Sequence, residues 1–317
     1  MPTAGKGLKV LAALAATSVF ALAGCGSSTD DDNAAASAET RITVKHNQGE
    51  TSVPVNPKKV ISFDLAVVDT LNELGVDVAG VPKSNLPDFL AKYKDSKYID
   101  AGTLFEPNYE VVNAAQPDLI IVGGRSAAAY EKLSQIAPTI DLSIDQRDWL
   151  NSFIEVTKTL GRIFQKESVV EEALQTINSK IEKVKAQAAD KGTGLIVLTT
   201  GGKMSAYGPG SRFGMIHDVL GVTPAEANVK ADTHGESISA EYIRDKNPDW
   251  LFVVDRDAAT GEKSDGAKKV LDNALVATTK AWQQNHVIYL DPVRWYILGS
   301  GLSTVNAMID QIQNELV

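Results

Sequence analysis

The chain has 317 residues, 44% of them hydrophobic and 22% charged, with a formal net charge of -9 and a single cysteine. An acidic balance argues against a nucleic-acid surface or a polybasic membrane face, and one cysteine excludes an intrachain disulfide. The length suffices for two lobes, each with its own core.

Lys6 and Lys9 precede an apolar run from Val10 to Leu22, which ends in Leu22-Ala23-Gly24-Cys25. Charge, short apolar stretch and small residues in that order predict a secretory signal peptide over residues 1–24. The run is too short for the roughly 20 residues that span a bilayer. The only cysteine falls directly after the small residues, and Leu-Ala-Gly-Cys resembles a bacterial lipobox, which implies cleavage before Cys25 and a lipid on its sulfur. Residues 25–40 are mostly small and polar without apolar periodicity, and are expected to form a flexible tether. Losing Lys6 and Lys9 with the leader leaves the mature chain still more acidic.

An N-terminal lobe is expected over residues 41–144. It holds strands at Val60 to Phe63, Leu119 to Val122 and Thr139 to Leu142, and helices at Ala66 to Leu74, Tyr109 to Ala115 and Ala127 to Ile136. Residues 145–166 carry a helical pattern through Trp149, Phe153, Val156, Leu160 and Ile163, read as a helix joining the lobes. A helical strut of this kind predicts only a small closure about a ligand. The C-terminal lobe, residues 167–317, opens on a second helix. Strands at Leu195 to Thr199 and Val287 to Leu290 and helices at Ser211 to Leu220 and Leu302 to Leu316 follow.

The sequence also repeats itself. Pro117-Asp118 through Arg125, Ala127 and Ala128 recurs 131 positions later as Pro248-Asp249 through Arg256, Ala258 and Ala259, and Glu110 matches Glu241 at the same offset. A repeat this long predicts two similar lobes rather than a solenoid. Each copy runs helix, Pro-Asp, continuous apolar stretch, Arg, helix, which fits a buried parallel strand. The fold class is therefore α/β, two Rossmann-like lobes with a ligand cleft between them.

Ligands of open parallel sheets bind beyond the carboxyl ends of strands, where both repeat arginines, Arg125 and Arg256, should sit. Arg212, in Gly208-Pro209-Gly210-Ser211-Arg212, opens a predicted helix and is a third candidate. Guanidinium forks match paired oxygens, so the three point to an anionic ligand rich in acceptors. No nucleophile elbow, Walker A loop or His-Glu-x-x-His motif occurs, which weighs against a hydrolase. His46, His217, His234 and His286 are scattered, which weighs against a bare-metal site.

From Arg41 onward the chain resembles the binding proteins whose lobes are joined by a helix. The resemblance rests on Val53-Pro54-Val55-Asn56-Pro57, the two Pro-Asp strands, the helical link and the lipobox. Phe63-Asp64 to Gly75, Gly208 to Gly221, Thr233-His234-Gly235 to Tyr242, and Tyr289-Leu290-Asp291 to Tyr296 look like ferric catecholate siderophore receptors, the petrobactin-type binders included. The resemblance implies a non-enzymatic lipoprotein that captures a ferric siderophore and delivers it to the permease of an ABC importer. Arg125, Arg212 and Arg256 would bind catecholate oxygens, with His234 and Tyr296 reaching iron only through a bound siderophore. Lys83, after a predicted strand, is expected to add positive charge; Glu106 and Glu236, one per lobe, are expected to meet the permease. No cofactor, no nucleic-acid partner and a monomer are expected, held by its lipid at the extracellular face of the cell membrane, or on the periplasmic side in a Gram-negative cell. The alternative is a haem or cobalamin receptor of the same architecture.

Overall fold

A computed structural model of the chain describes residues 40–84, 86–263 and 266–316. The expected signal peptide, Cys25 and nearly all of the tether lie outside the described residues. The first sheet has five parallel strands in the order Ile99–Asp100, Gly80–Val81, Val60–Ser62, Leu119–Val122, Thr139–Asp141. Leu119, Ile120, Ile121 and Val122 are all fully buried, as a strand covered on both faces requires. An antiparallel hairpin, Arg41–His46 with Gly49–Pro54, forms its own two-stranded sheet beside Thr139–Asp141, where Thr51 Oγ1 donates to Thr139 O at 3.1 Å and Asn47 N–H to Asp141 O at 3.2 Å.

The second sheet is mixed. Its path runs Glu236–Ile238, Lys203–Tyr207, Thr193–Thr200, Trp250–Asp255, Val287–Tyr289, and Thr223–Pro224 pairs with Thr193–Thr200 off that path. The sequence repeat is a structural repeat. Helices Tyr109–Ala115 and Ala240–Lys246 each end on a left-handed residue, Gln116 (φ 48°) and Asn247 (φ 42°), just before the Pro-Asp. Each Asp then does the same work: Asp118 Oδ2 accepts from the Lys58 and Lys59 N–H groups, at 2.9 and 2.7 Å, and Asp249 Oδ2 accepts from Thr193 N–H at 2.9 Å. In each lobe the aspartate thus pins the entry of the neighbouring strand and fixes the parallel register.

The connecting helix is Trp149–Phe164; Gln165 ends it in the left-handed conformation (φ 55°) and Glu167–Ala188 begins a second helix. Trp149 and Phe153 pack with the second lobe's core, whereas Leu160, Ile163 and Phe164 pack with the first lobe's. The C-terminal helix Leu302–Glu315 lies against Glu167–Ala188, where Lys180 Nζ meets Asp310 at 2.7 Å. Its N-terminus is capped from the other lobe by helix Leu65–Glu73. Asp69 Oδ2 accepts from Thr304 N–H at 3.0 Å, Ser303 Oγ donates to Asp69, and Thr70 Oγ1 accepts from Leu302 N–H at 3.2 Å.

Two expected helices are shorter than their sequence pattern. Residues 127–136 contain a 3₁₀ turn, Gly124–Ala129, and one helical turn, Tyr130–Leu133. Within 211–220 only Met215–Asp218 is α-helical. In both places side chains hold turns in place of helix: Ser126 Oγ bonds to Gly123, Ser211 Oγ donates to Gly208 O at 2.6 Å, and Asp218 accepts from Gly210 N–H at 2.7 Å. Among the described residues no helix is long and apolar enough to cross a membrane.

Candidate ligand-binding site

A cleft of about 540 Å³ is lined from both lobes, by Phe63, Asp64, Phe105 and Arg125 on one side and by Arg212, His234 and Tyr296 on the other. Its size suits a small-molecule ligand. Tyr296 lies on the π-helical turn Val293–Leu298, a local widening that occurs often at functional sites. Such a turn leaves carbonyls without helical partners, and the arginines fill them. Arg125 donates to Tyr296 O at 2.7 Å and Ile297 O at 2.8 Å, and Arg212 to Tyr296 O at 2.7 Å. The same residue's ring lies 4.4 Å from the Arg212 guanidinium carbon and 5.5 Å from that of Arg125, within cation-π range.

Arg125 and Arg212 are half-buried, and among the described residues neither forms an ion pair with a carboxylate. A guanidinium has five N–H donors, so both keep donors free for a ligand. Burial first, and then the Arg125 charge, pull the Arg212 pKa below its ordinary value; guanidinium nevertheless stays charged at neutral pH. Two neighbouring guanidinium groups, neither in an ion pair among the described residues, suit an anionic ligand. Asp64 also lines the cleft, accepting from Ala66 N–H at 2.8 Å; burial pushes its carboxyl up from the ordinary value, while the Ala66 N–H and the Arg125 charge pull it down.

Arg256 is placed differently. Its Nε donates to the Tyr296 hydroxyl at 3.0 Å, but its Nη1 meets Glu262 at 3.0 Å and Asp257 at 3.8 Å, and it is not among the lining residues. The third arginine is thus tied to the same tyrosine yet already neutralised. His234 lines the cleft on an exposed loop: its N–H donates to Asp232 Oδ1 at 2.9 Å, Gly235 N–H donates to Asp232 O at 3.1 Å, and Tyr207 Oη donates to Thr233 O at 3.4 Å. Burial pushes the Tyr207 phenol up to about 12, which keeps it a donor. Gly235 (φ 69°) completes the loop, because a Cβ there would lie 2.7 Å from the Tyr207 ring.

Lys83 is not a lining residue; its ammonium donates to Asp95 O at 2.8 Å. Glu106 and Glu236 are exposed; Glu106 directly follows the cleft-lining Leu104-Phe105 in one lobe, and Glu236 is separated from the cleft-lining Thr233-His234 of the other by Gly235. Asp64 and Phe105 were not singled out from the sequence. Asp64 had a signal, an acid directly after a strand at a helix start; Phe105 had none. Among the described residues, no group of three or more His, Cys, Asp or Glu side chains could hold a metal ion.

Two α/β lobes with helical connections and a cationic cleft define the class of bilobed binding proteins. The chain belongs to the periplasmic binding protein family, whose model matches residues 60–293. It is 44% identical over 309 residues to the petrobactin-binding protein YclQ of Bacillus subtilis (strain 168), covering 96% of this chain and 97% of that protein. The crystal structure of YclQ superposes with a TM-score of 0.85 and 46% identity, over 88% of this chain and 99% of that one. The ferric-anguibactin-binding protein FatB of Vibrio anguillarum is 35% identical, over 96% of this chain and 97% of its own. The periplasmic catecholate-siderophore binding protein VctP of Vibrio cholerae has a TM-score of 0.83 and 32% identity, over 87% of this chain and all of its own.

Proposed function

We propose that the protein is the extracytoplasmic, substrate-binding component of an ABC importer, and that it captures a ferric catecholate siderophore without chemically changing it. The observation that carries this reading is the pair Arg125 and Arg212, half-buried at one cleft and, among the described residues, in no ion pair with a carboxylate. Ferric iron held by catecholates is a polyanion with its charge spread over several oxygens, and guanidinium donors match that pattern. VctP, a catecholate-siderophore binding protein, supports the same ligand class, and the names of YclQ and FatB, for petrobactin and ferric anguibactin, are in keeping with a ferric siderophore.

In this reading Arg256 exchanges Glu262 for the ligand on binding. Tyr296 and His234 complete the iron shell where a siderophore leaves positions open, the phenolate oxygen being the better match for a hard ferric ion. Glu106 and Glu236 flank the cleft as permease contacts, one from each lobe, and Cys25 carries the lipid that holds the protein at the membrane.

The test is a titration of intrinsic fluorescence, because Trp295 lines the cleft. Ferric catecholates should quench it saturably and ferric hydroxamates should not. Saturation by haem or cobalamin alone would transfer the cleft to that ligand class.

A further inference from the structure

Among the described residues three large hydrophobic side chains are exposed: Phe89 at 37%, Val169 at 44% and Phe105 at 66%. The Phe89 ring is covered by the Arg294 guanidinium at 4.2 Å, and Val169 lies on the second connecting helix away from the cleft. Phe105 alone of the three lines the cleft. Isolated exposed apolar residues are ordinary, so its location and support have to carry the argument.

Its loop is closed on itself without any help from the ring. Gly102 and Pro107 form an antiparallel bridge, and Thr103 N–H donates to Glu106 O at 3.0 Å. Thr103 Oγ1 accepts from Phe105 N–H at 3.2 Å and from Glu106 N–H at 2.9 Å. Gly102 permits the turn: its φ is 114°, and a Cβ would lie 2.5 Å from Glu106 O. Backbone bonds therefore fix where Phe105 stands, while its neighbour Leu104 is buried in the lobe's core. The turn buries Leu104 and presents Phe105 at the cleft, 66% exposed and with no aromatic or cationic partner for its ring among the described residues.

The cleft then combines cations, Arg125 and Arg212, with an aromatic wall. A ligand whose anionic oxygens are borne on aromatic rings would satisfy both at once, with its oxygens on the guanidinium groups and a ring face on Phe105. We infer that Phe105 is a ring-stacking contact for a catechol ring of the ligand, selecting aryl ferric complexes over aliphatic ones. This rests on the ferric catecholate reading above.

The experiment measures dissociation constants by fluorescence quenching for the wild-type protein, Phe105→Tyr, Phe105→Leu and Phe105→Ala. The probe is the ferric complex of a linear bis(2,3-dihydroxybenzamide). Loss of one ring contact should weaken binding roughly three- to tenfold in the Leu and Ala variants, while the Tyr variant stays within about twofold of wild type. Because the ring is exposed, all variants should unfold at the wild-type urea midpoint. Wild-type affinity in Phe105→Ala, or in Phe105→Leu, would overturn the inference while leaving the catecholate reading intact. A wild-type protein that does not bind the probe would overturn both.

Discussion

Arg125, Arg212 and Arg256 reach the same tyrosine, but they differ in what balances their charge. Glu262 and Asp257 stand against Arg256, whereas among the described residues Arg125 and Arg212 have backbone carbonyls, of Tyr296 and Ile297, as their hydrogen-bond acceptors. An anionic ligand meets the latter two with no ion pair to break and has to displace Glu262 to reach the third. Arg212→Ala should therefore weaken ferric catecholate binding by about 2 to 5 kcal/mol, the range for truncating one partner of a buried charge pair. Arg256→Ala should cost less. Dissociation constants for the two variants check the order, and equal losses would show that Glu262 does not compete with the ligand. The repeat made Arg125 and Arg256 legible in the sequence, because both follow a Pro-Asp strand at one offset. It could not show that one is paired, because Glu262 lies in an exposed turn with no periodic pattern. Nor could it show that the Lys83 ammonium turns to Asp95 O, a contact set by the path of a loop.

Among the elements, the strands and the long helices were legible where burial dictates composition. Leu119 to Val122 and the Trp149 to Phe164 helix are set by which faces are covered. The short elements were not. The Val293–Leu298 turn, which supplies Tyr296 and two arginine acceptors, is stabilised by cations from distant positions that no local pattern encodes. The cap between the lobes is of the same kind: Asp69 on helix Leu65–Glu73 satisfies the N-terminus of Leu302–Glu315, more than 200 residues away. Asp69→Ala leaves the Thr304 N–H and the Ser303 hydroxyl without that acceptor, and should destabilise the fold by about 1 to 3 kcal/mol. Asp69→Asn keeps a carbonyl acceptor and should cost less. Urea unfolding measures both; a midpoint unchanged by Asp69→Ala would mean that the cap contributes nothing.

At the scale of the molecule, the lobes are tied at several places rather than one. The connecting helix packs into both cores, the C-terminal helix takes its cap from the first lobe, and Arg125 of that lobe donates to the Tyr296 turn of the second. This arrangement opposes wide hinge opening and favours a preformed cleft, so binding needs side-chain exchange at Arg256 more than movement of whole lobes. A preformed cleft with two guanidinium groups outside any ion pair among the described residues is the central feature of the account. Its most direct test is a crystal structure of the protein with a ferric bis-catecholamide, the iron located by its anomalous scattering. The account predicts one iron in the cleft, with catecholate oxygens at about 2.7 to 3.2 Å from the guanidinium nitrogens of Arg125 and Arg212. Iron bound elsewhere, or catecholate oxygens touching neither arginine, would contradict it.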